Sequence, residues 1–261
     1  MGLDRRRAHG PADPYAESRF YGVKGDRIVT QKPNRTPDER VMRRTIPQRE
    51  TGWARRIALA MQKLGLTPNI ISVLSVVIAA IGAGAFVMVG FADDPWPRLG
   101  WLALAAICAP LRLLANMLDG MLAVECGMHS PVGDLYNEVP DRLSDVLFLA
   151  GAGYALTEIH GADVLGWIAA TLAVLTAYVR SLGAAQGLSN HFDGPMAKPR
   201  RMWVLVIGSV LSMIEIFLPL PAGWAWGIGL ALALGIIALG SLATVVVRLR
   251  LIARDLRERA A

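Results

Sequence analysis

Between residues 116 and 145 the chain gathers side chains that can hold a cation and move a proton. The stretch runs Asn116-Met-Leu-Asp119-Gly120-Met-Leu-Ala123-Val124-Glu125, and then Gly133-Asp134-Leu-Tyr136-Asn137-Glu138-Val-Pro140-Asp141-Arg142-Leu-Ser144-Asp145. On a helix, Asn116, Asp119 and Ala123 fall at i, i+3 and i+7, while Asn137, Asp141 and Asp145 fall at i, i+4 and i+8, so each set shares one face. The short connection over residues 126–132 predicts that the two helices are antiparallel neighbours whose polar faces converge. The donors are oxygens, with no Cys or His among them. Such a set suits a hard divalent ion, Mg²⁺ or Mn²⁺. Glu138, Asp134 and Asp145 are further carboxylates within reach of the same faces. Gly120, Ala123 and Gly133 add no bulk and let a phosphate or a flat base approach the backbone. Taken singly, these residues have plainer explanations. Small residues on a membrane helix commonly serve helix packing, and a single Asp near a helix end commonly sits in a solvated loop. Matched spacing on two consecutive helices is what favours a site.

The elements that must position these residues are membrane helices. The chain has 261 residues, 54% apolar and 18% charged, below the roughly 25% charged fraction of soluble domains. Six apolar runs approach the ~20 residues a span requires: 69–91, 99–124, 135–156, 164–188, 202–218 and 224–247. The polar cluster lies where the second run meets the third. Ionisable groups at membrane depth are costly and commonly mark function.

Ahead of the first run, Trp53, Ile57, Met61 and Leu64 recur on one helical face, with Arg55, Arg56 and Lys63 off it. This predicts an amphipathic helix over 49–66 lying in the membrane interface. Residues 1–48 are charged and punctuated by Pro and Gly, and read as a loosely ordered arm. The expected organisation is therefore all-α and integral to the membrane: an arm (1–48), an interfacial helix (49–66), six spans (67–250) and a tail (251–261).

The net charge of +6 is distributed as membrane topology requires, which argues against a nucleic-acid partner. The arm, the Lys198-Pro199-Arg200-Arg201 loop and the Arg248–Arg259 tail hold most of the cations, whereas the alternate joints carry only Arg98 as a firm one. The positive-inside rule then places both termini in the cytoplasm, and the expected location is a cell membrane, the inner one of a bacterium. Trp96, Trp101, Trp167 and Trp224 mark the opposite boundary as an aromatic belt. The polar cluster falls at the cytoplasmic end, where basic surfaces also meet anionic lipid headgroups. Cys108 and Cys126 have no metal or redox spacing and read as small apolar residues. The polar start of the chain lacks a signal-peptide h-region. Glu215, near the far boundary, reads as a solvated helix end.

The cluster resembles the signature of the CDP-alcohol phosphotransferases, D-x2-D-G-x2-A-R-x8-G-x3-D-x3-D. The pattern falls on Asn116, Asp119, Gly120, Ala123, Val124, Gly133, Asn137 and Asp141 with every spacing kept. Asn stands at the first and third Asp positions and Val at the Arg position. Thr67-Pro68-Asn69-Ile70-Ile71-Ser72 is similar to the entry to the family's first span. Tyr178-Val179-Arg180, followed by Gly183, Ala184 and Gly187, is similar to its fourth-to-fifth-span region. The resemblance covers roughly residues 50–250.

It implies a transferase that moves a phospho-alcohol group from a CDP-alcohol, such as CDP-diacylglycerol, to an acceptor alcohol with release of CMP. The metal ligands it implies are Asn116, Asp119, Asn137 and Asp141, with Glu138 as a further one, and Asp141 as the catalytic base. Asn69, Asp119, Gly120, Ala123 and Gly133 would face the nucleotide. Arg112, Arg180, Lys198 and Arg201 are cations for an acceptor's phosphate or the diphosphate, with Arg112 needing a partner at its depth. The resemblance also allows a homodimer. The two Asn bring no charge, so the four signature positions supply two carboxylates. Three outcomes are open: another carboxylate substitutes, one metal suffices, or metal binds only with the substrate's diphosphate. A non-catalytic descendant that binds nucleotide or lipid is the alternative. A transporter would need polarity along a whole path across the membrane.

Overall fold

The computed structural model describes residues 52–125, 127–128, 131–219, 221 and 224–260. The predicted arm, 1–48, lies outside them. Among the described residues every regular element is a helix: α1 (Gly52–Lys63), α2 (Pro68–Gly90), α3 (Pro95–Glu125), α4 (Gly133–Tyr154), α5 (Ala162–Ala185), α6 (Lys198–Glu215) and α7 (Ile228–Ala260).

Local chemistry explains several boundaries. Thr67 caps α2, its hydroxyl accepting from the Ile70 amide at 3.4 Å, and Pro68 occupies the first turn, where no amide donor is needed. Gly161, at φ 77°, reverses the chain into α5. The α7 start is held by a carboxylate. Glu215 accepts from the Gly227 amide at 2.8 Å and the Gly229 amide at 2.7 Å. Glu215 is thus not a solvated helix end. It satisfies amides that the first turn of α7 would otherwise leave open. Nearby, Glu158 accepts from the Trp226 amide at 2.9 Å and pairs with Arg98, whose guanidinium also lies over the Trp226 ring.

Four helices, α2, α3 as far as Ala123, α5 and α7, are long and apolar enough to cross a membrane. The other two predicted spans differ for a visible reason. α4 carries Asp134, Glu138, Asp141, Arg142 and Asp145, and α6 is 18 residues long and carries Lys198, Arg200, Arg201 and Glu215. The polar residues that build the cluster dilute the apolar signal of the helices that bear them.

Six helices pack in a ring: α2 on α3, α3 on α6, α6 on α7, α7 on α5, α5 on α4, and α4 back on α2. The sequence predicts α3 and α4 as packed neighbours, but they touch only slightly, and each packs chiefly on α2. Small residues account for this. A side chain at Gly82 of α2 would meet Phe148 at 2.5 Å, and one at Gly151 of α4 would meet the Ala83 backbone at 3.0 Å. α4 and α5 close in the same way at Gly153 and Gly166, and α6 and α7 at Gly208 and Gly229. α1 packs on α3, with Met61 against Leu118 and Met121. Ile57 and Leu64, on the predicted apolar stripe of that helix, are exposed.

The ring is filled mostly by Ala, Leu and Phe, among them Phe86, Leu102, Phe148, Leu149 and Leu234. A polar seam nonetheless runs through it. Ser72, Arg112, Asp119, Asp141, Asp145, Thr176, Arg201 and Arg248 are all buried, and they come from six different helices.

Candidate active site

α3 and α4 place the predicted residues on facing sides, as their spacing requires. Asn116 lies one turn beyond Arg112 on α3, and Asp119 a further turn on. Asn137, Asp141 and Asp145 form a line on α4. The two lines are joined directly, since the Asn116 carboxamide donates to Asn137 Oδ1 at 3.0 Å.

Asp141 is the hub. Its Oδ1 accepts from Arg112 Nη2 at 2.5 Å, and its Oδ2 pairs with the Lys198 ammonium at 2.5 Å. Arg112 is fully buried within a long apolar helix, and Asp141 is the partner its depth demands. Lys198 also donates to Asn116 Oδ1. An ammonium can only donate, so this bond fixes which end of the Asn116 amide is oxygen and agrees with its amide nitrogen donating to Asn137. Lys198 begins α6, four residues ahead of the apolar run.

Asp119 is buried and accepts from Ser72 Oγ at 2.7 Å. It lies within electrostatic reach of both Lys198 and Asp141. Ser72 has no part in the predicted site, although it closes the Thr67–Ser72 motif. The remaining nucleotide-facing candidates are half-buried: Asn69 in the first turn of α2, Gly120 and Ala123 on α3, and Gly133 at the start of α4.

The other cations separate by depth. Arg180 donates to Glu138 Oε1 at 2.5 Å and lies over the Phe192 ring at 5.3 Å, at the margin of the cluster. Arg142 bridges Glu138 and Asp141, each at 3.5 Å. Arg201 is sealed below: its Nη2 donates to Asp145 Oδ2 at 2.8 Å and its Nη1 to Thr176 Oγ1 at 3.1 Å. Arg248 donates to the Thr176 carbonyl at 2.5 Å and to the Asp193 carbonyl at 3.0 Å, tying the α5–α6 loop to α7. In the sequence Arg248 reads only as the first cation of the tail. Its one distinguishing signal is its position directly after the apolar run ending at Val247.

The fit of the cluster to a divalent ion can be judged from its donors. Among the described residues, no three His, Cys, Asp or Glu side chains converge as a metal group. A cation-holding set there would have to draw on carboxamides as well: Asn116 and Asn137 beside Asp119 and Asp141. Two of these residues, Asn116 and Asp141, already grip one cation, the Lys198 ammonium. Those two oxygens are therefore aimed as a cation requires, and an all-oxygen donor set of this kind suits a hard ion.

No family model matches the chain. A phosphatidylinositol phosphate synthase of Mycolicibacterium smegmatis is 29% identical over 200 residues, covering 75% of this chain and 81% of the relative. An archaetidylinositol phosphate synthase of Aeropyrum pernix is 26% identical over 167 residues, covering 64% of this chain and 78% of the relative. Among solved structures, the Mycobacterium tuberculosis phosphatidylinositol phosphate synthase in complex with manganese and citrate superimposes with a TM-score of 0.62 at 23% identity, covering 76% of this chain and 88% of that one. The same enzyme with CDP-DAG bound superimposes with a TM-score of 0.60. These structures share the fold.

Proposed function

From the chain's membership of the CDP-alcohol phosphotransferase family, we infer that it transfers a phosphatidyl group from CDP-diacylglycerol to an acceptor hydroxyl and releases CMP. The observation that carries this reading is the hub at Asp141, where residues of α3, α4 and α6 meet in one bonded cluster.

Asn116, Asp119, Asn137 and Asp141 would hold Mg²⁺ or Mn²⁺, with Glu138 at the margin. When bound, such an ion neutralises the diphosphate and polarises the phosphorus–oxygen bond to be broken. The residues themselves do the rest. Asp141 takes the proton of the acceptor hydroxyl. The acceptor oxygen forms a bond to the phosphorus that carries the diacylglycerol, and the bond from that phosphorus to CMP breaks, its electron pair leaving with CMP. Ser72 fixes the rotamer of Asp119. Asn69, Gly120, Ala123 and Gly133 give the nucleotide an approach without bulk. Most of the rate comes from such positioning and charge stabilisation, as in other phosphoryl transfers.

The acceptor we propose carries its own phosphate, inositol phosphate foremost. The names of the relatives point to that product class, and Arg180 and Lys198 offer charge-assisted donors beside the hub. Arg112 and Arg201 hold carboxylates in place and do not reach substrate. The protein sits in the bacterial inner membrane with six spans, both termini and the cluster on the cytoplasmic side, and α1 in the interface.

The test is CMP release by purified protein from CDP-diacylglycerol, Mn²⁺ or Mg²⁺ and a panel of acceptors. Asp141→Asn and Asp119→Asn should each lower turnover by at least a hundredfold while leaving the protein folded. Nucleotide binding without CMP release across the panel would instead favour a binding-only descendant, a reading that the neutral Asn116 and Asn137 motivate.

A further inference from the structure

Lys198 reaches the cluster from α6, and its ammonium is held by oxygens of the two facing helices: Asn116 Oδ1 on α3 and Asp141 Oδ2 on α4. A lysine that merely awaited a phosphate would point toward open solvent. This one is bound by two of the four residues that the phosphotransferase reading assigns to the ion. The charges around it are close to balance. Asp119 and Asp141 are the carboxylates of the four ligand positions, Arg112 and Lys198 are cations bonded to Asp141, and Arg142 bridges Asp141 and Glu138 at 3.5 Å each. A divalent ion entering such a site finds little net negative charge and must also compete with the ammonium for Asn116 and Asp141.

We propose that Lys198 is a built-in cation that occupies part of the metal cage, so that the substrate-free protein binds divalent ions weakly and Lys198 must withdraw for the cage to fill. The inference rests on the phosphotransferase reading of the site and deepens it. The two Asn residues and the lysine are then one device. Neutral amides in place of carboxylates leave a cage that a single ammonium nearly satisfies. The diphosphate of the donor supplies the missing negative charge and a new partner for Lys198, so ion and nucleotide arrive together. The opposite expectation follows if Lys198 only binds substrate phosphate or supports the fold, because removing it then leaves metal binding in the free protein unchanged or weaker.

The experiment is Mn²⁺ titration of the purified, nucleotide-free protein, read by electron paramagnetic resonance of free Mn²⁺. Wild type is compared with Lys198→Met, Lys198→Gln and Lys198→Arg, with melting profiles confirming the fold. The expected result is Mn²⁺ affinity at least tenfold tighter in Lys198→Met and Lys198→Gln, and unchanged in Lys198→Arg. Affinity that is unchanged or reduced in both neutral variants overturns the proposal, as does wild-type affinity already in the low micromolar range without nucleotide. Should Lys198→Met not fold, Lys198→Gln and the wild-type affinity decide. CMP release is measured on the same samples. A wild type that releases CMP while its metal affinity ignores Lys198 sinks this inference alone. A wild type that never releases CMP, yet whose neutral variants bind Mn²⁺ more tightly, sinks the transferase reading and keeps the competition.

Discussion

The pair formed by Arg201 and Asp145 offers a sharp test of how the site is supported. The two side chains are 1% and 0% exposed and meet at 2.8 Å. Removing one partner of such a pair strands the other as a buried charge, a loss of about 3–5 kcal/mol, whereas replacing both by apolar groups is commonly close to neutral. The two single changes are not equivalent. After Arg201→Met, Asp145 keeps a second cation, Arg142 Nη1 at 3.9 Å. After Asp145→Leu, Arg201 keeps only Thr176 and the Met196 carbonyl among the described residues. Arg201→Met should therefore fall near the lower end, about 3 kcal/mol, and Asp145→Leu near the upper end, about 5 kcal/mol. The double variant should return to within about 2 kcal/mol of wild type, the remainder being the bonds that Thr176 and Met196 lose.

Thermal unfolding in one detergent, for wild type, both singles and the double, closes the cycle. The same preparations report function. If Arg201 only supports α4, the double variant releases CMP with an acceptor KM within about twofold of wild type, a difference under roughly 0.5 kcal/mol. Two results refute the reasoning. Singles that each cost under about 1 kcal/mol would mean the pair is not sealed from solvent. A stable double variant with a sharply raised acceptor KM would mean Arg201 touches substrate, as the sequence alone suggests.

Two further changes test the packing. A side chain at Gly166 would meet the Leu149 carbonyl at 2.7 Å and Gly153 Cα at 2.9 Å, while one at Gly84 meets nothing within 4 Å. Gly166→Ala should cost about 1–3 kcal/mol by forcing α4 and α5 apart, and Gly84→Ala should stay within about 0.5 kcal/mol; melting temperatures compare them directly. Glu215→Ala leaves the Gly227 and Gly229 amides without their acceptor and should cost about 1–3 kcal/mol. Glu215→Gln, which keeps one acceptor oxygen, should recover part of that in the same assay.

The parts of the fold that the sequence makes legible are those governed by local rules. The Thr67-Pro68 start of α2, the polar faces of α3 and α4, and the need of Arg112 for a partner all follow from spacing and burial cost. The arrangement of the ring does not. Small residues at 82, 83, 151, 153 and 166 announce close approach, but a glycine does not name what approaches it. The insertion of α2 between α3 and α4 is decided by Phe148 meeting Gly82 and by Gly151 meeting Ala83, contacts between segments some 65 residues apart. Glu215 is hidden for a similar reason. Its partners lie 12 and 14 residues on, beyond a turn, so a lone carboxylate near a helix end reads as solvated.

Lys198 and Arg201 show most clearly where spacing stops and depth begins. In the sequence they are two cations of one basic loop, interchangeable as phosphate ligands. In the structure they are successive rungs of a ladder between α6 and α4. Three residues separate the cations and four separate Asp141 from Asp145, so each cation meets its own carboxylate one turn apart. The outer rung keeps some exposure, 16% at Lys198 and 9% at Asp141, and Asp141 Oδ2 is also within 3.5 Å of Arg142. It has alternative partners and can be exchanged. The inner rung is 1% and 0% exposed, and opening it would strand charge in an apolar ring. One helical repeat, read at two depths, thus yields a rung that can open to admit a ligand and a rung that holds the helices while it does.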